Sequence, residues 1–385
     1  MLVAAEASGD TLGAGLARAL KARLGEGVRF VGVGGAKMRE QGIESPFDIA
    51  ELSILGWIEG LKAYGKVRRR VRDTAEFARR TKPDVAVLID SWGFTLRVAK
   101  ALRRDNPNLV LIKYVAPQVW ASRPGRAKTL AASVDHLLAM HAFDAPWFEN
   151  EGLKTTFVGN STLALDFSDA SGERFRRSIG AGPDDPVLLV LPGSRRSEIK
   201  QMMPPFEEAI ALLKRQRPGL HVAVVVADTV ADEVKGRVAG WPFRAHLIEG
   251  EAAKRDAMRG ATVALACSGT VSTELALAGA PMIISYRLDN LSYQLIKRFI
   301  TVRFVTLLNI ASDEAIAPEL LQNDATGPKL AAAVAERLDD PALRQEQVRR
   351  QYEALDRMGR GMPDPAETAA DAVIAVMREK GLAVG

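Results

Sequence analysis

The chain has 385 residues, of which 52 are Lys or Arg, 47 are Asp or Glu, 4 are His and 1 is Cys. This length favours two domains, each large enough to bury its own core. A single cysteine excludes a disulfide framework and a cysteine-based zinc site, because both need several thiols, and the histidine spacing fits no metal site. No run of about 18 apolar residues is present, which excludes a membrane-spanning helix.

Short apolar runs alternate with helical patterns, which predicts βαβ units and parallel sheets covered by helices on both faces. Strands are predicted at 28–33, 85–89, 109–115, 187–191, 221–226, 263–266 and 282–285. Helices are predicted at 11–24, 66–80, 197–217, 271–278, 328–338 and 366–380. The fold class is therefore α/β, with two Rossmann-like domains and a cleft between them.

A polar stretch rich in Gly and Pro at 168–186 predicts the domain boundary. We predict a first domain at 1–170, a second domain at 171–362, and a C-terminal helix at 363–385 that packs back on the first domain. Only residues 2–5 precede the first loop, so we expect the natural start of the chain to lie further upstream. The N-terminal segment lacks the features of a secretory signal, which predicts a cytosolic protein.

The net charge of +5 is concentrated in the first half. Residues 1–165 contain 24 Lys and Arg against 17 Asp and Glu, and the remaining residues contain 28 against 30. This distribution indicates an anionic partner of the first half, either nucleic acid, anionic lipid or a phosphorylated substrate. A solvated basic surface explains the same charge equally well.

Three predicted strand-to-helix turns combine Gly with Ser or Thr, at 7–11, 191–195 and 267–271. Such turns direct backbone N–H groups and the positive end of a helix toward an anion. Arg195 and Arg196 follow the second turn, and a guanidinium group suits phosphate. The second half, which holds two of the turns, is therefore predicted to bind a nucleoside diphosphate, although each turn alone is also typical of a structural helix cap.

Standard nucleotide signatures are missing. Residues 32–37 break the GxGxxG pattern at its last position, and no P-loop or G-x-S-x-G motif occurs. Dehydrogenase, P-loop and α/β-hydrolase functions are disfavoured. Glu274, four residues after Thr270, is placed to accept hydrogen bonds from ribose hydroxyls, with an ion pair inside its helix as the alternative.

The apolar strand at 85–89 ends in Asp90. Ligands gather at the carboxyl ends of strands in open α/β sheets, so Asp90 is predicted to face the cleft as a general base. The alternative is an N-cap of the next helix. Ser8, Gly9 and Asp10 of the first loop are predicted to face the same cleft, although Asp10 is also typical of a first helical turn.

Trp57 and Ile58 precede a dense basic run that includes Arg68, Arg69 and Arg70. Apolar residues beside basic ones suit a bilayer surface that carries anionic headgroups. A buried tryptophan beside a solvated helix face remains the alternative. Nucleic acid is disfavoured, because the basic stretches lack interleaved aromatic residues.

Eight segments in fixed order span nearly the whole chain: AEASGDTLGAGLARAL at 5–20, FVGVGGAKM at 30–38, PDVAVLID at 83–90, YVAPQVWA at 114–121, LPGSRRSEI at 191–199, SGTVSTELALAGAPMIISYR at 268–287, LLNI at 307–310 and ELLQND at 319–324. Together they resemble the lipid-A-disaccharide synthase family of inverting glycosyltransferases, which have the two-Rossmann-domain (GT-B) fold. The resemblance implies transfer of 2,3-diacylglucosamine from UDP-2,3-diacylglucosamine to the 6-hydroxyl of 2,3-diacylglucosamine 1-phosphate, giving the β-1′,6-linked disaccharide 1-phosphate and UDP.

The resemblance also implies roles for individual residues. Asp90 matches the general base, and Asn309 matches a functionally important asparagine. The diphosphate turn is matched by Gly193, Ser194 and Arg195, and the second nucleotide loop by Ser268, Gly269, Thr270 and Glu274. No metal or cofactor is implied. Both substrates are anionic lipids, which agrees with the basic first half and predicts a cytoplasmic protein peripheral to the inner membrane; a homodimer is left open.

Departures from the family pattern lie mostly in the first domain. The family's I-D-A-P-D-F is Ile-Asp-Ser-Trp-Gly-Phe at 89–94, and its V-G-H-P turn is Val-Gly-Asn-Ser at 158–161. Two other functions therefore stay open. One is a diverged GT-B paralogue with another acceptor or with UDP-sugar 2-epimerase-like activity, and the other is a non-catalytic protein that binds a membrane surface.

Overall fold

The computed structural model describes residues 1–53, 60–289, 293–294 and 302–383. The chain forms two compact units. Unit 1 consists of Met1–Asn160 and Met362–Gly385, and unit 2 of Ser161–Gly361. The first boundary thus falls at residue 160, whereas the polar stretch in the sequence had indicated residue 170.

Unit 1 contains a six-stranded parallel sheet in the order β2-β1-β3-β4-β5-β6. Its strands are β1 Leu2–Ala4, β2 Gly32–Val33, β3 Val85–Ile89, β4 Val110–Tyr114, β5 His136–Ala139 and β6 Thr155–Phe157. Its helices are α1 Ala7–Leu24, α2 Ala36–Glu40, α3 Ala50–Ser53, α4 Gly60–Thr81, α5 Trp92–Asp105, α6 Arg126–Ala131, α7 Ala145–Glu149 and, from the C-terminal segment, α16 Pro365–Glu379.

Unit 2 contains a second six-stranded parallel sheet in the order β12-β11-β10-β7-β8-β9. Its strands are β7 Val187–Leu191, β8 His221–Val226, β9 His246–Glu249, β10 Val263–Cys267, β11 Met282–Tyr286 and β12 Glu319–Leu321. Its helices are α8 Gly172–Ser178, α9 Arg196–Gln216, α10 Ala231–Ala239, α11 Glu251–Gly260, α12 Val271–Ala278, α13 Leu307–Ser312, α14 Gly327–Asp339 and α15 Pro341–Arg357.

Central strands of both sheets are mostly apolar because helices cover them on both faces. Every residue of β3, β4, β7 and β10 is buried. The expected α/β fold with two Rossmann-like sheets is confirmed. The predicted strand at 28–33 is shorter than expected, since only β2 at its end pairs with β1.

The C-terminal helix α16 packs on α1 within unit 1, as predicted. Leu16 and Leu20 of α1 share one apolar core with Val373 and Val376 of α16. At the edge of this contact, the Arg23 guanidinium donates to the Asp371 carboxylate at 2.9 Å. Since α16 follows all of unit 2 in the chain, unit 1 is built from two separate segments of the sequence.

In the part of the chain that the structure describes, no helix has both the length and the apolar character needed to cross a bilayer.

Candidate active site

The carboxyl edge of the unit 2 sheet carries a pocket of about 640 Å³. Strand order reverses between β7 and β10, and such a switch point is where open α/β sheets bind ligands, because the loops on either side diverge. The pocket is lined by the turns that follow β7, β8, β9 and β10 and by the first turns of the helices after them: 191–195, Glu198, 225–228, Gly250, Glu251, Lys254, 267–271 and Glu274. All but one of the predicted nucleotide-binding residues meet here.

The turn after β10 leads directly into α12. The Ser268 N–H donates to the Ser285 carbonyl, but no hydrogen bond among the described residues uses the N–H of Gly269, Thr270 or Val271. These three donors lie at the positive end of the helix and line the pocket. The turn therefore leaves three backbone donors open at the position where the sequence predicts an anion site.

The turn after β7 is arranged differently, because a buried carboxylate already occupies its donors. Glu198, in the first turn of α9, accepts from the N–H of Ser194 at 2.9 Å and of Arg195 at 3.2 Å. Gly193 has φ +113°, and a Cβ there would lie 2.5 Å from Glu198 Oε2. This turn exposes the Arg195 side chain to solvent. The side chain is 76% exposed, and its guanidinium group donates to Glu198 Oε1 at 3.1 Å.

Lys254 of α11 places a positive charge in the pocket. This residue was not predicted from the sequence. Its ammonium group contacts the Glu251 carboxylate at 2.8 Å and the Glu274 carboxylate at 2.9 Å. Burial opposes the charge, but the hydrogen bonds to both carboxylates outweigh it and raise the pKa of Lys254. The available signal was that α11 opens after Gly250, a further turn at the carboxyl edge.

Asn309 lies outside this pocket. It is fully buried at the start of α13, and its amide nitrogen donates to the Ala317 carbonyl at 2.8 Å and to Glu319 at 2.9 Å. Its amide oxygen accepts from the N–H groups of Ile316 and Ala317. In this structure Asn309 therefore holds the segment before β12, and its role toward substrate stays a prediction.

Asp90 occupies the equivalent position in unit 1, where strand order reverses between β1 and β3. Ser8, which lies in the first turn of α1 rather than in a loop as predicted, donates from Oγ to Asp90 Oδ2 at 3.4 Å. Asp90 and Ser91 both have left-handed backbone conformations, with φ of 49° and 37°. Non-glycine residues adopt this region at a cost, so the surrounding structure must hold the turn.

Asp10 and Gly9 serve the packing of unit 1. Asp10 is 4% exposed, and its carboxylate accepts from the N–H of Gly35 at 2.7 Å, of Lys37 at 2.9 Å and of Met38 at 3.0 Å. A Cβ on Gly9 would lie 3.3 Å from the Ala4 Cβ. Asp10 thus caps the start of α2, and of the three predicted residues, all in the first turn of α1, Ser8 is the one that reaches Asp90.

The predicted membrane-facing residues separate into three groups. Trp57 and Ile58 lie outside the described residues. Arg70 points inward, since it bonds to Glu51 at 2.6 Å and to Asp73 at 2.9 Å. Arg68 and Arg69 line an open groove of about 860 Å³ between α4 and α5, whose other charged residues are Arg72, Arg79, Arg97, Lys100, Arg104 and Asp105.

Several solved structures share this fold. S. aureus MnaA in its structure with UDP has a TM-score of 0.59 at 14% identity, with 100% of this chain and 97% of that chain covered. The UDP-GlcNAc 2-epimerase of Neisseria meningitidis bound to UDP-GlcNAc has a TM-score of 0.56 at 12% identity, with 98% of each chain covered. The glycotransferase of kitacinnamycin has a TM-score of 0.59 at 16% identity, with 97% of each covered. The fold is therefore of the GT-B type, and at these identities the likeness concerns the fold alone.

Sequence similarity defines the family. The family described as lipid-A-disaccharide synthetase matches residues 1–373. The lipid-A-disaccharide synthase of Paramagnetospirillum magneticum is 45% identical over 98% of this chain and 97% of its own length. That of Rhodospirillum centenum is 43% identical over 99% and 95%. The chain belongs to the lipid-A-disaccharide synthetase family, and it is a hexosyltransferase.

We expect Asp10→Asn to destabilise the protein, because an amide nitrogen cannot accept the backbone N–H groups that the lost oxygen accepted. The free energy of unfolding should fall by about 2 kcal/mol, as for hydrogen bonds to a charged group. Chemical denaturation measures the change, with Glu26→Gln, an exposed carboxylate of the same unit, as the control. Unfolding midpoints that agree with the wild type for both variants would refute the capping role of Asp10.

Proposed function

We propose that this chain transfers 2,3-diacylglucosamine from UDP-2,3-diacylglucosamine to the 6-hydroxyl of 2,3-diacylglucosamine 1-phosphate. The products are the β-1′,6-linked disaccharide 1-phosphate and UDP. The observation that carries the proposal is the unit 2 pocket. In a chain of this family, it brings hydrogen-bond donors for an anion and the Glu274 carboxylate together at the point where strand order reverses. UDP bound to MnaA, which shares the fold, supports a uridine nucleotide as the pocket's ligand.

The donor is held by its diphosphate and its ribose. The N–H groups of Gly269, Thr270 and Val271 bind phosphate oxygens at the start of α12, where the helix dipole favours negative charge. Lys254 and the exposed Arg195 guanidinium add positive charge. Glu274 turns from Lys254 to the ribose hydroxyls as the ammonium group engages the diphosphate.

The chemical step is a single displacement at the anomeric carbon. The acceptor oxygen forms a bond to that carbon as the bond to the UDP oxygen breaks, which inverts the configuration. Asp90 takes the proton of the acceptor hydroxyl, and UDP leaves with the bonding electron pair. The groups that bound the diphosphate in the ground state stabilise the charge that it gains in the transition state.

We expect Asp90→Asn to lower kcat by about 10² to 10⁴, because the amide cannot accept the proton. The assay incubates pure protein with both substrates and follows the disaccharide 1-phosphate by mass spectrometry. Asp84→Asn, at the other end of the same strand and exposed, is the matched control and should retain wild-type kcat.

Two results would count against the proposal in different ways. A loss below about threefold in Asp90→Asn would remove that residue from the role of general base. UDP release by the wild type without any disaccharide would point to hydrolysis or another acceptor, and an epimerised UDP-sugar would point to the 2-epimerase alternative.

We expect Lys254→Met to weaken UDP binding about 10- to 100-fold, the range for loss of a charged hydrogen bond. Affinity for uridine should change little, because the nucleoside lacks the diphosphate. Isothermal titration calorimetry measures both ligands, and Lys235→Met, a partly exposed lysine of the same unit paired with Glu249, serves as the control. Equal weakening for UDP and uridine would contradict the diphosphate contact.

For the membrane part of the proposal, the basic groove between α4 and α5 supports attachment to the inner face of the cytoplasmic membrane. Seven of its side chains are Lys or Arg, and Asp105 is its one acid among the described lining residues. Each basic residue close to an anionic bilayer contributes about 1 kcal/mol of attraction. The acceptor and donor are lipids, so this attachment brings the enzyme to its substrates.

We expect the double variant Arg72→Gln, Lys100→Gln to bind vesicles that contain phosphatidylglycerol about 10- to 30-fold more weakly, at about 1 kcal/mol per removed charge. Flotation or sedimentation with vesicles measures the partition coefficient, and added salt should weaken wild-type binding by screening. The control is Arg18→Gln, Lys128→Gln, which removes two exposed charges of the same unit. An equal loss in both double variants would refute a specific role for the groove.

A further inference from the structure

Lys113 is a buried lysine in the middle of the unit 1 sheet. Its side chain lies on β4 and is 3% exposed. The residues paired with it across the sheet are Leu88 on β3 and Leu137 on β5, both apolar. Burial of an ammonium group is costly unless an opposite charge or hydrogen bonds compensate for the lost hydration. Among the described residues, no carboxylate lies within ion-pair distance of the Lys113 ammonium group. Its hydrogen bonds must therefore account for its presence.

Those hydrogen bonds converge on the turn that carries Asp90. The Lys113 ammonium donates to the backbone carbonyl of Asp90 and lies 3.2 Å from Thr95 Oγ1. The Thr95 hydroxyl lies 2.8 Å from the same carbonyl and 2.9 Å from the carbonyl of Ser91. The Asp90 carbonyl is thus held by Lys113 from the sheet and by Thr95 from α5, and the Ser91 carbonyl is held by Thr95.

We propose that Lys113 is a positioning residue for the transfer reaction: by holding the strained turn at Asp90 and Ser91 it fixes the direction of the Asp90 carboxylate. The inference rests on the proposed function, because it assumes that Asp90 takes the proton of the acceptor. The packing of β3, β4 and α5 fixes the position of the Lys113 donor, whereas a water molecule in the same place would not be fixed in this way. A misplaced carboxylate loses most of its catalytic effect even when substrates still bind.

The charge of Lys113 makes the arrangement sensitive to pH. Burial lowers the pKa of Lys113 to about 7, and the negative charge of Asp90 opposes this shift. The other described groups that face the amine are the neutral Thr95 hydroxyl and apolar strand neighbours. Below pH 7 the ammonium form is present and donates strongly to the carbonyl. Above pH 7 the neutral amine donates more weakly, so kcat of the wild type should fall as the pH rises through about 7.

The test compares Lys113→Met with the wild type, Asp90→Asn and Lys128→Met, an exposed lysine of the same unit. Methionine keeps an unbranched chain of similar length and removes the donor. We expect kcat to fall about 10- to 100-fold in Lys113→Met, with KM for both substrates within about threefold of the wild type and with the fall in kcat near pH 7 abolished. Lys128→Met should behave as the wild type.

Thermal melting separates positioning from a purely structural role. A lysine whose pKa is lower in the folded state than in the unfolded state reduces the free energy of unfolding. This cost is largest below the folded-state pKa, where the buried lysine is charged, and it is lost as the pH rises through the unfolded-state pKa. Lys113→Met should therefore melt at or above the wild-type temperature near pH 6 while its kcat is lower. A lower melting temperature with kcat and KM changed together would show a structural role and overturn the proposal.

Two further outcomes distinguish this inference from the proposed function. An inactive Asp90→Asn together with wild-type kcat in Lys113→Met would overturn the positioning role alone. Wild-type activity in both variants would overturn the role of Asp90 and this inference with it. The wild type gives a check that depends on no substitution, since a kcat that stays constant between about pH 6 and 8 would also overturn the proposal.

Discussion

Parallel strand pairing decides where polar chemistry can lie in each unit. All strands of a parallel sheet end at the same edge, and helices cover both faces, so strand interiors have no room for unpaired polar groups. The turns at the carboxyl edge are the exception, because they carry free backbone donors into solvent. At the points where strand order reverses, the loops diverge and leave space for a ligand. Asp90 in unit 1 and the pocket after β7 and β10 in unit 2 both follow from this constraint.

The irregular turns at the carboxyl edges of both sheets are stabilised in the same way. In each case a buried charged side chain binds backbone groups that would otherwise need water. Asp10 accepts from the start of α2, and Glu198 accepts from the turn after β7. Lys113 donates to the turn after β3. The consequence differs between turns. Glu198 uses donors that were expected to bind phosphate, so the start of α12 is the backbone anion site that we propose in unit 2.

The sequence allowed most of the central strands and the Gly-containing turns of unit 2 at 191–195 and 267–271 to be predicted, because apolar runs and Gly beside Ser or Thr are local signals. Strands β5, β6, β9 and β12 were missed, since each has only three or four residues and contains a polar one. Lys254 and Lys113 were also missed, because their roles depend on which strands become neighbours. Asn309 was identified from a sequence motif, but the motif does not show which hydrogen bonds its buried amide makes.

The Asp90 turn also shows why departures from the family pattern bear on mechanism. Where the family has a proline, this chain has Trp92 at the first position of α5, and where the family has a second acid it has Gly93. Proline at that position preorganises a helix start, and in this chain the Thr95 hydroxyl and the Lys113 ammonium group contact the turn instead. Loss of the second acid leaves Asp90 as the one carboxylate at 89–94. If Asp90 is the base, as proposed, proton transfer depends on the direction of this single side chain, and the Lys113 donor behind its backbone carbonyl is the group that we propose fixes this direction.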